Sequence, residues 1–129
     1  MTIFSKIIAG EIPCYKIAEN NMFIAFLDIF PVQKGHVLVV PKIEIDKIFD
    51  VPDEYLKEIL VFAKPIAKAI EQAFPCNRVN ILTVGLEVPH AHVHLIPIQH
   101  TNDMNLLNDK LTLTKDNFIE IQQKIIQYL

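Results

Sequence analysis

The stretch "VPHAHVHLIP", residues 88–97, places three histidines at alternate positions with apolar residues between them. Successive side chains of a β-strand point to opposite faces, so His90, His92 and His94 would share one face of a sheet. The apolar residues between them would then point into a hydrophobic core on the other face. The stretch therefore predicts a strand with one buried apolar face and one histidine face.

The segments around this strand predict an α+β fold. Apolar residues recur every three or four positions in two long stretches, which is typical of amphipathic helices. Short apolar runs bounded by proline, glycine or asparagine predict strands, and the short links between them favour an antiparallel sheet with helices packed on it. Pro65 predicts a kink or break in the long central helix. The predicted strands are residues 14–18, 22–29, 35–41, 78–84 and 90–98, and the predicted helices are residues 2–10, 53–74 and 115–129.

Length and composition narrow the classes of function. The 129 residues, 51% hydrophobic and 21% charged, predict a single soluble domain over residues 1–129. A net charge of -3 and the lack of a Lys/Arg run argue against nucleic acid as a partner. The apolar stretch at the N-terminus is too short and too interrupted for a secretory signal or a membrane span, and Cys14 and Cys76 form no CxxC pair. We therefore expect a cytoplasmic protein with free thiols and no membrane contact.

The histidine face predicts an anion-binding site. Three of the five histidines share it, and His36, at the start of another strand after Gly35, is placed where it could join them. Two imidazolium ions about 7 Å apart repel by roughly 2.4 kcal/mol at an effective dielectric near 20, so the cluster cannot be fully charged at neutral pH. One neutral imidazole could attack a phosphoryl group while its neighbours donate protons or neutralise charge. His100 lies in a polar loop, and we expect it at the surface.

Metal binding is the main alternative for the same residues. Alternating histidines on a strand can supply two or three ligands of a tetrahedral zinc site, and His36 or Glu87 could complete the set. The sequence places no aspartate or cysteine close to the triad that would complete a familiar zinc pattern.

Residues 90–96, "HAHVHLI", resemble the signature of the histidine triad (HIT) family of nucleotide hydrolases and transferases. The stretches "TIFSKIIAGEIP", "AFLDIFP" and "GHVLVVPK" resemble other blocks of the same family in the same order. The resemblance covers residues 2–98. It implies a five-stranded antiparallel sheet and a homodimer with a continuous sheet, in which we place the helix at residues 53–74 at the interface.

The resemblance also implies roles for individual residues. His92 matches the nucleophile that attacks the α-phosphate of a purine nucleotide conjugate and forms a nucleotidyl-histidine intermediate. His94 matches a residue that contacts the phosphate, and His90 and His36 match histidines that organise the nucleophile and its protons. Asp28 matches an acid that holds the ribose hydroxyls. The apolar pocket for the base matches four residues: Phe4, Ile7, Ile12 and Ile29.

Two residues before the triad depart from the family pattern. Leu86 stands where a glutamine is common, and Glu87 stands where a serine or threonine is common. Glu87 either faces away from the phosphates or recognises a cationic leaving group, such as the amine of a phosphoramidate. The paired-cysteine zinc site of some family members is absent, so we expect no metal and no cofactor.

We therefore predict a hydrolase of nucleoside phosphoramidates or dinucleoside polyphosphates. A zinc-dependent hydrolase and a nucleotide-binding or partner-binding module without catalysis are the alternatives.

Overall fold

Five antiparallel strands form one sheet, as expected from the sequence; numbered along the chain, they lie side by side in the order first, second, third, fifth and fourth. The computed structural model describes every residue from Met1 to Leu129. Two short 3-10 helices, Ile48–Asp50 and Thr101–Met104, lie in the connections. The strands are β1 (Lys16–Glu19), β2 (Phe23–Leu27), β3 (Val37–Pro41), β4 (Arg78–Leu82) and β5 (Val93–Ile98), and the helices are α1 (Ile3–Ile8), α2 (Asp53–Ala73) and α3 (Lys115–Ile126).

The sheet separates two apolar clusters of unequal size. Helices α2 and α3 pack on one face over a cluster of 17 buried residues, which includes Val93 and Leu95 of β5. Helix α1 contributes Phe4 to a cluster of five buried residues that lies apart from the first. Strand β2 alternates between the two clusters, as the two-residue period of a strand requires. The histidine side therefore has the smaller core.

Helix α1 forms where its capping residues predict it. Thr2 is the N-cap, and its hydroxyl accepts a hydrogen bond from the Ser5 amide at 3.1 Å. The helix ends at Ile8, and Gly10 then adopts a φ of 80°, a conformation that glycine reaches without strain. This short helix lies beside the histidines.

The prediction of a break at Pro65 is wrong, because α2 runs continuously through this residue. Proline lacks the amide that would bond to the carbonyl of Val61 one turn earlier. Both Val61 and Pro65 are exposed, so that carbonyl lies on the solvent side of the helix. The buried face of α2 on either side of Pro65 keeps the helix in place against the sheet.

The histidine strand begins later than predicted. Strand β5 starts at Val93, so His90 and His92 precede it and only His94 lies within it. The backbone before Val93 is paired elsewhere: the Ala91 amide donates to the carbonyl of Ile45 at 2.7 Å, and the His92 carbonyl accepts from the Thr83 hydroxyl at 2.7 Å. The other predicted boundaries either coincide with the observed ones or differ by at most three residues.

None of the helices combines the length and the apolar composition needed to span a bilayer.

Candidate active site

Four histidines gather on the sheet face opposite α2 and α3, and each is at most 7% exposed. His94 projects from β5 opposite Leu38 of β3. His36, just before β3, brings its Nε2 within 2.9 Å of His94 Nδ1. The His92 and His94 ring centroids are 5.0 Å apart. The structure thus brings His36 beside two members of the triad, although only one of them is in a strand.

Hydrogen-bond directions assign the protons of His36 and His94. The Val32 amide can only donate, and it lies 3.2 Å from His36 Nδ1, so that nitrogen accepts. In the neutral ring the proton is then on His36 Nε2, which donates to His94 Nδ1. The remaining proton of His94 is on Nε2. His94 therefore presents an N–H donor.

The same reasoning assigns the proton of His92. Its Nδ1 lies 2.7 Å from the His90 carbonyl oxygen, which can only accept, so Nδ1 carries the proton. The lone pair of His92 is then on Nε2. The lone pair of His92 Nε2 and the N–H donor of His94 Nε2 therefore come from adjacent rings. Attack on a phosphoryl group requires this combination of a nucleophile and a donor.

Burial keeps these imidazoles neutral. It lowers the pKa of His36 to about 3, and the charges of Lys110 and His92 add to this effect. It also lowers the pKa of His94 to about 3, and the charges of His36 and His92 add to this effect. Burial also lowers the pKa of His92, against the opposing effect of its hydrogen bond to the His90 carbonyl. The sequence predicts that mutual repulsion keeps the imidazoles neutral. In the structure, loss of solvation is the main cause and repulsion adds to it.

His90 is fully buried and bonded on both ring nitrogens. Its Nε2 donates to the Pro41 carbonyl at 2.8 Å. Its Nδ1 therefore accepts, and it lies 3.2 Å from the Thr2 hydroxyl and 3.4 Å from the Ser5 hydroxyl. Thr2 and Ser5 were not predicted as site residues, because single hydroxyl groups at a helix start form no recognisable motif.

Asp28 lies beside the histidine cluster. Its Oδ2 is 3.4 Å from His36 Nε2, and its Oδ1 accepts from the Phe30 amide at 2.8 Å. The carboxylate is 17% exposed and so reaches the surface of the site.

Asp28, His36 and His94 could offer three ligand atoms to a metal, since these atoms lie within 4.8 Å of one another. The Val32 amide nevertheless holds the proton of His36 on Nε2, the atom that would have to face the metal. A metal there would have to displace that proton and break the hydrogen bond to His94, so the donor set fits a metal poorly.

The four apolar residues assigned to the base pocket do not form a single cluster in the structure. Phe4 is buried and packs its ring against His92, with centroids 4.9 Å apart and an interplanar angle of 85°. Ile7 packs against the same small cluster. Ile12 is half-buried and Ile29 is 52% exposed, and neither belongs to that cluster. Phe4 therefore supports the ring of His92 rather than offering an open face.

Leu86 and Glu87 are both exposed. Glu87 lines a surface depression of about 510 Å³ near the start of α1, together with Glu44 and Asp46. The negative charge of Glu87 weakly opposes the lowering of the His92 pKa by burial, so the carboxylate is within electrostatic reach of that ring. His100 is exposed and caps the 3-10 helix at Thr101–Met104, as expected of a surface residue.

Comparison with known proteins identifies relatives of this architecture. A family model described as the HIT domain matches residues 9–101. An adenosine 5′-monophosphoramidase of Saccharomyces cerevisiae is 43% identical over 100 residues, which cover 74% of this chain and 61% of that protein, less than two thirds of its length. An adenosine 5′-monophosphoramidase of Schizosaccharomyces pombe is 42% identical over 96 residues, with coverage of 74% and 72%. The crystal structure of a HIT-like protein from Bartonella henselae matches with a TM-score of 0.86 at 30% identity, covering 99% of this chain and 96% of that one.

Proposed function

This chain belongs to the histidine triad family, and we propose that it is a nucleotide hydrolase that cleaves a P–N or P–O bond at the α-phosphate of a purine nucleotide conjugate. The names of the two yeast relatives favour a nucleoside phosphoramidate over a dinucleoside polyphosphate as the substrate. The observation that carries the proposal is the unprotonated Nε2 of His92 beside the Nε2–H of His94.

The proposed reaction has two steps. His92 Nε2 attacks the α-phosphorus and forms an N–P bond, while the leaving group departs with the electron pair of its bond to phosphorus and takes one proton from the solvent. Water then attacks the same phosphorus, the N–P electron pair returns to Nε2, and the surplus proton of the water is released. The ring is positively charged in the intermediate, and the His90 carbonyl that accepts from Nδ1 stabilises that charge.

Other residues would bind and orient the substrate. His94 would donate to the phosphate oxygens through Nε2, and His36 would keep His94 in the tautomer that permits this. His90 would hold His92 through its carbonyl. Asp28 would accept hydrogen bonds from the ribose hydroxyls through the exposed part of its carboxylate. The base would lie against the three more accessible of the apolar side chains assigned to it, Ile7, Ile12 and Ile29, while the buried Phe4 would support the ring of His92. No step requires a metal or cofactor.

We also propose that the protein is a homodimer. Strand β4 is at the edge of the sheet with one side unpaired, which is where a second copy could extend the sheet. Ile81 of β4 is 44% exposed, and Leu60 and Val61 of α2 are 59% and 64% exposed. Their burial against a second copy would remove apolar surface from water.

The decisive experiment measures AMP release from adenosine 5′-phosphoramidate by chelator-treated protein and by the variants His92→Ala and His100→Ala. We expect release by the wild type and by His100→Ala, and none by His92→Ala, because His100 lies outside the cluster. Activity that returns only when zinc is added would favour a metal-dependent hydrolase. Nucleotide binding without release from this substrate or from dinucleoside polyphosphates would favour a binding module.

A further inference from the structure

A chain of polar contacts joins a surface carboxylate to the buried His90. Glu44 Oε1 accepts from the Ser5 hydroxyl at 2.6 Å and from the Thr2 amide at 2.7 Å. Both hydroxyl groups approach His90 Nδ1, at 3.4 Å for Ser5 and 3.2 Å for Thr2. Glu44 is exposed and His90 is fully buried, so the contacts cross from the surface of the protein to the site.

The charge of Glu44 determines the direction of these hydrogen bonds. An ionised carboxylate only accepts, so the Ser5 hydroxyl gives its proton to Glu44 and cannot give it to His90. The Thr2 hydroxyl, which accepts from the Ser5 amide, is left to donate either to His90 Nδ1 at 3.2 Å or to the Ser5 hydroxyl oxygen at 3.3 Å. The same two donors lower the pKa of Glu44, the Ser5 hydroxyl more than the Thr2 amide, and so favour its ionised form.

A second connection runs through the backbone next to Glu44. The carbonyl of Ile45 accepts from the amide of Ala91 at 2.7 Å. The segment of Glu44 and Ile45 therefore holds residues 90 and 91 from two sides. The carbonyl of His90, located between these two anchors, is the group that accepts from His92 Nδ1.

From these contacts we infer that Glu44 is a positioning residue for the nucleophile. It acts through Ser5 and Thr2 on the orientation of His90, and through the His90 carbonyl on the orientation of the His92 ring. Without the carboxylate, the Ser5 hydroxyl loses its acceptor and competes with Thr2 for His90 Nδ1, and α1 loses a contact at its first turn. The inference depends on the proposed function only for its kinetic consequence.

The first test is spectroscopic and needs no substrate. Imidazole nitrogen NMR shifts of isotope-labelled histidine report the tautomer of each ring and the hydrogen bonds that its unprotonated nitrogen accepts. We expect every protein to keep the Nε2–H form of His90 and the Nδ1–H form of His92, because the carbonyls of Pro41 and His90 accept these protons. We expect Glu44→Ala to shift the resonance of His90 Nδ1, because the freed Ser5 hydroxyl becomes a second donor to that nitrogen. Glu44→Gln keeps a carbonyl acceptor for the Ser5 hydroxyl and should retain the wild-type shift. Asp46→Ala is the matched control, because Asp46 is an exposed acid lining the same depression.

The second test is kinetic. We expect Glu44→Ala to lower kcat for AMP release by about tenfold or more, with KM changed less than about twofold, and Glu44→Gln to recover most of kcat. Ser5→Ala should lower kcat as well, because it breaks the same connection between Glu44 and His90, and it replaces Glu44→Ala if that variant does not fold.

An unchanged His90 Nδ1 resonance in Glu44→Ala would overturn the inference, even if kcat fell. Unchanged kcat in Glu44→Ala, or in Ser5→Ala where that variant replaces it, would overturn it too, because the positioning would not matter for the reaction. If the wild type released no AMP, the proposed function would fail, while the spectra would still show whether Glu44 controls the hydrogen bonding of His90.

Discussion

An imidazole ring has two nitrogen atoms, and in each of these histidines a neighbouring group selects the one that carries the proton. The Val32 amide selects it in His36, His36 selects it in His94, and the His90 carbonyl selects it in His92. Two of these three selecting groups belong to the backbone, so the chemistry of the side chains depends on the local path of the chain. This is why the triad motif alone does not specify which ring attacks and which ring donates.

Stability should fall with acid because of the buried histidines. His36 and His94 titrate near pH 3 in the folded protein and near pH 6.5 in the unfolded chain. Between those values the unfolded chain binds more protons, so stability is complete above about pH 6.5 and decreases as the pH falls, by at most about 1.4 kcal/mol per pH unit for each histidine. Urea unfolding of wild type, His36→Asn and His100→Asn between about pH 7 and pH 4 tests this.

The His36→Asn variant should show a shallower loss of stability with acid than the wild type, because asparagine does not titrate. His100→Asn is the control, since His100 is exposed, and its curve should run parallel to that of the wild type. Parallel curves for all three proteins would contradict the assignment of His36 as a histidine kept neutral by burial.

Glu87 should affect the choice of leaving group. Its carboxylate is exposed and within electrostatic reach of His92, so it could attract a leaving group that carries a positive charge. We expect Glu87→Gln to reduce kcat/KM for a phosphoramidate with a cationic amine several-fold, and to leave a neutral leaving group unaffected. If kcat/KM for the cationic substrate, divided by kcat/KM for the neutral one, were the same in Glu87→Gln and in the wild type, Glu87 would not recognise the leaving group.

At the scale of elements, the connection between β2 and β3 positions His36 through a close contact with α2. Gly35 has a φ of 92°, and a Cβ at this position would lie 2.8 Å from Cδ2 of Phe74 and 3.5 Å from Cγ2 of Ile70. Only glycine combines this backbone conformation with such an approach. The residue before His36 thus packs against the end of the central helix, and the two elements locate the ring together.

Gly35→Ala should therefore destabilise the fold and disturb the site. Backbone strain costs about 1–3 kcal/mol, and the contact with Phe74 adds to it. Gly10→Ala is a matched control, because Gly10 has a φ of 80° but no heavy atom within 4 Å of the position of a Cβ. We expect Gly35→Ala to lose more stability in denaturant unfolding than Gly10→Ala, and to lose kcat as well. Equal losses of stability in the two variants would mean that the close contact between the added methyl group and Phe74 is relieved at no cost in free energy.

The elements show which features the sequence could predict. Periodicity and capping residues located all three helices and five strands, and the resemblance placed Asp28 near the cluster, because these signals are local or belong to a motif. The start of β5 was missed because the amide of Ala91 bonds to Ile45, which is remote in sequence. The contact of Glu44 with Ser5 was missed for the same reason: it joins residues 39 positions apart.

At the scale of the whole molecule, the proposed dimer predicts a measurable mass. The chain is 14.8 kDa, and light scattering after size exclusion should give twice that value. Val61→Glu would place a charge on the exposed face of α2 and should shift the protein to the monomer, because burying an unpaired charge is costly. Lys64→Glu changes another exposed residue of α2 and shows whether any acidic substitution on this helix suffices to dissociate the dimer. A wild-type mass of one chain would refute the dimer.

The unequal cores on the two sides of the sheet have a consequence for how the molecule opens. The helix side holds 17 buried apolar residues and the histidine side five, and α1 has only six residues. Regions with few buried contacts open at lower free energy than the rest of a fold. Amide hydrogens of α1 should therefore exchange with deuterium more readily than those of β2 and β3. A molecule in that open form would keep most of its ellipticity and lack its catalytic geometry, so mild denaturant should remove activity before it removes secondary structure.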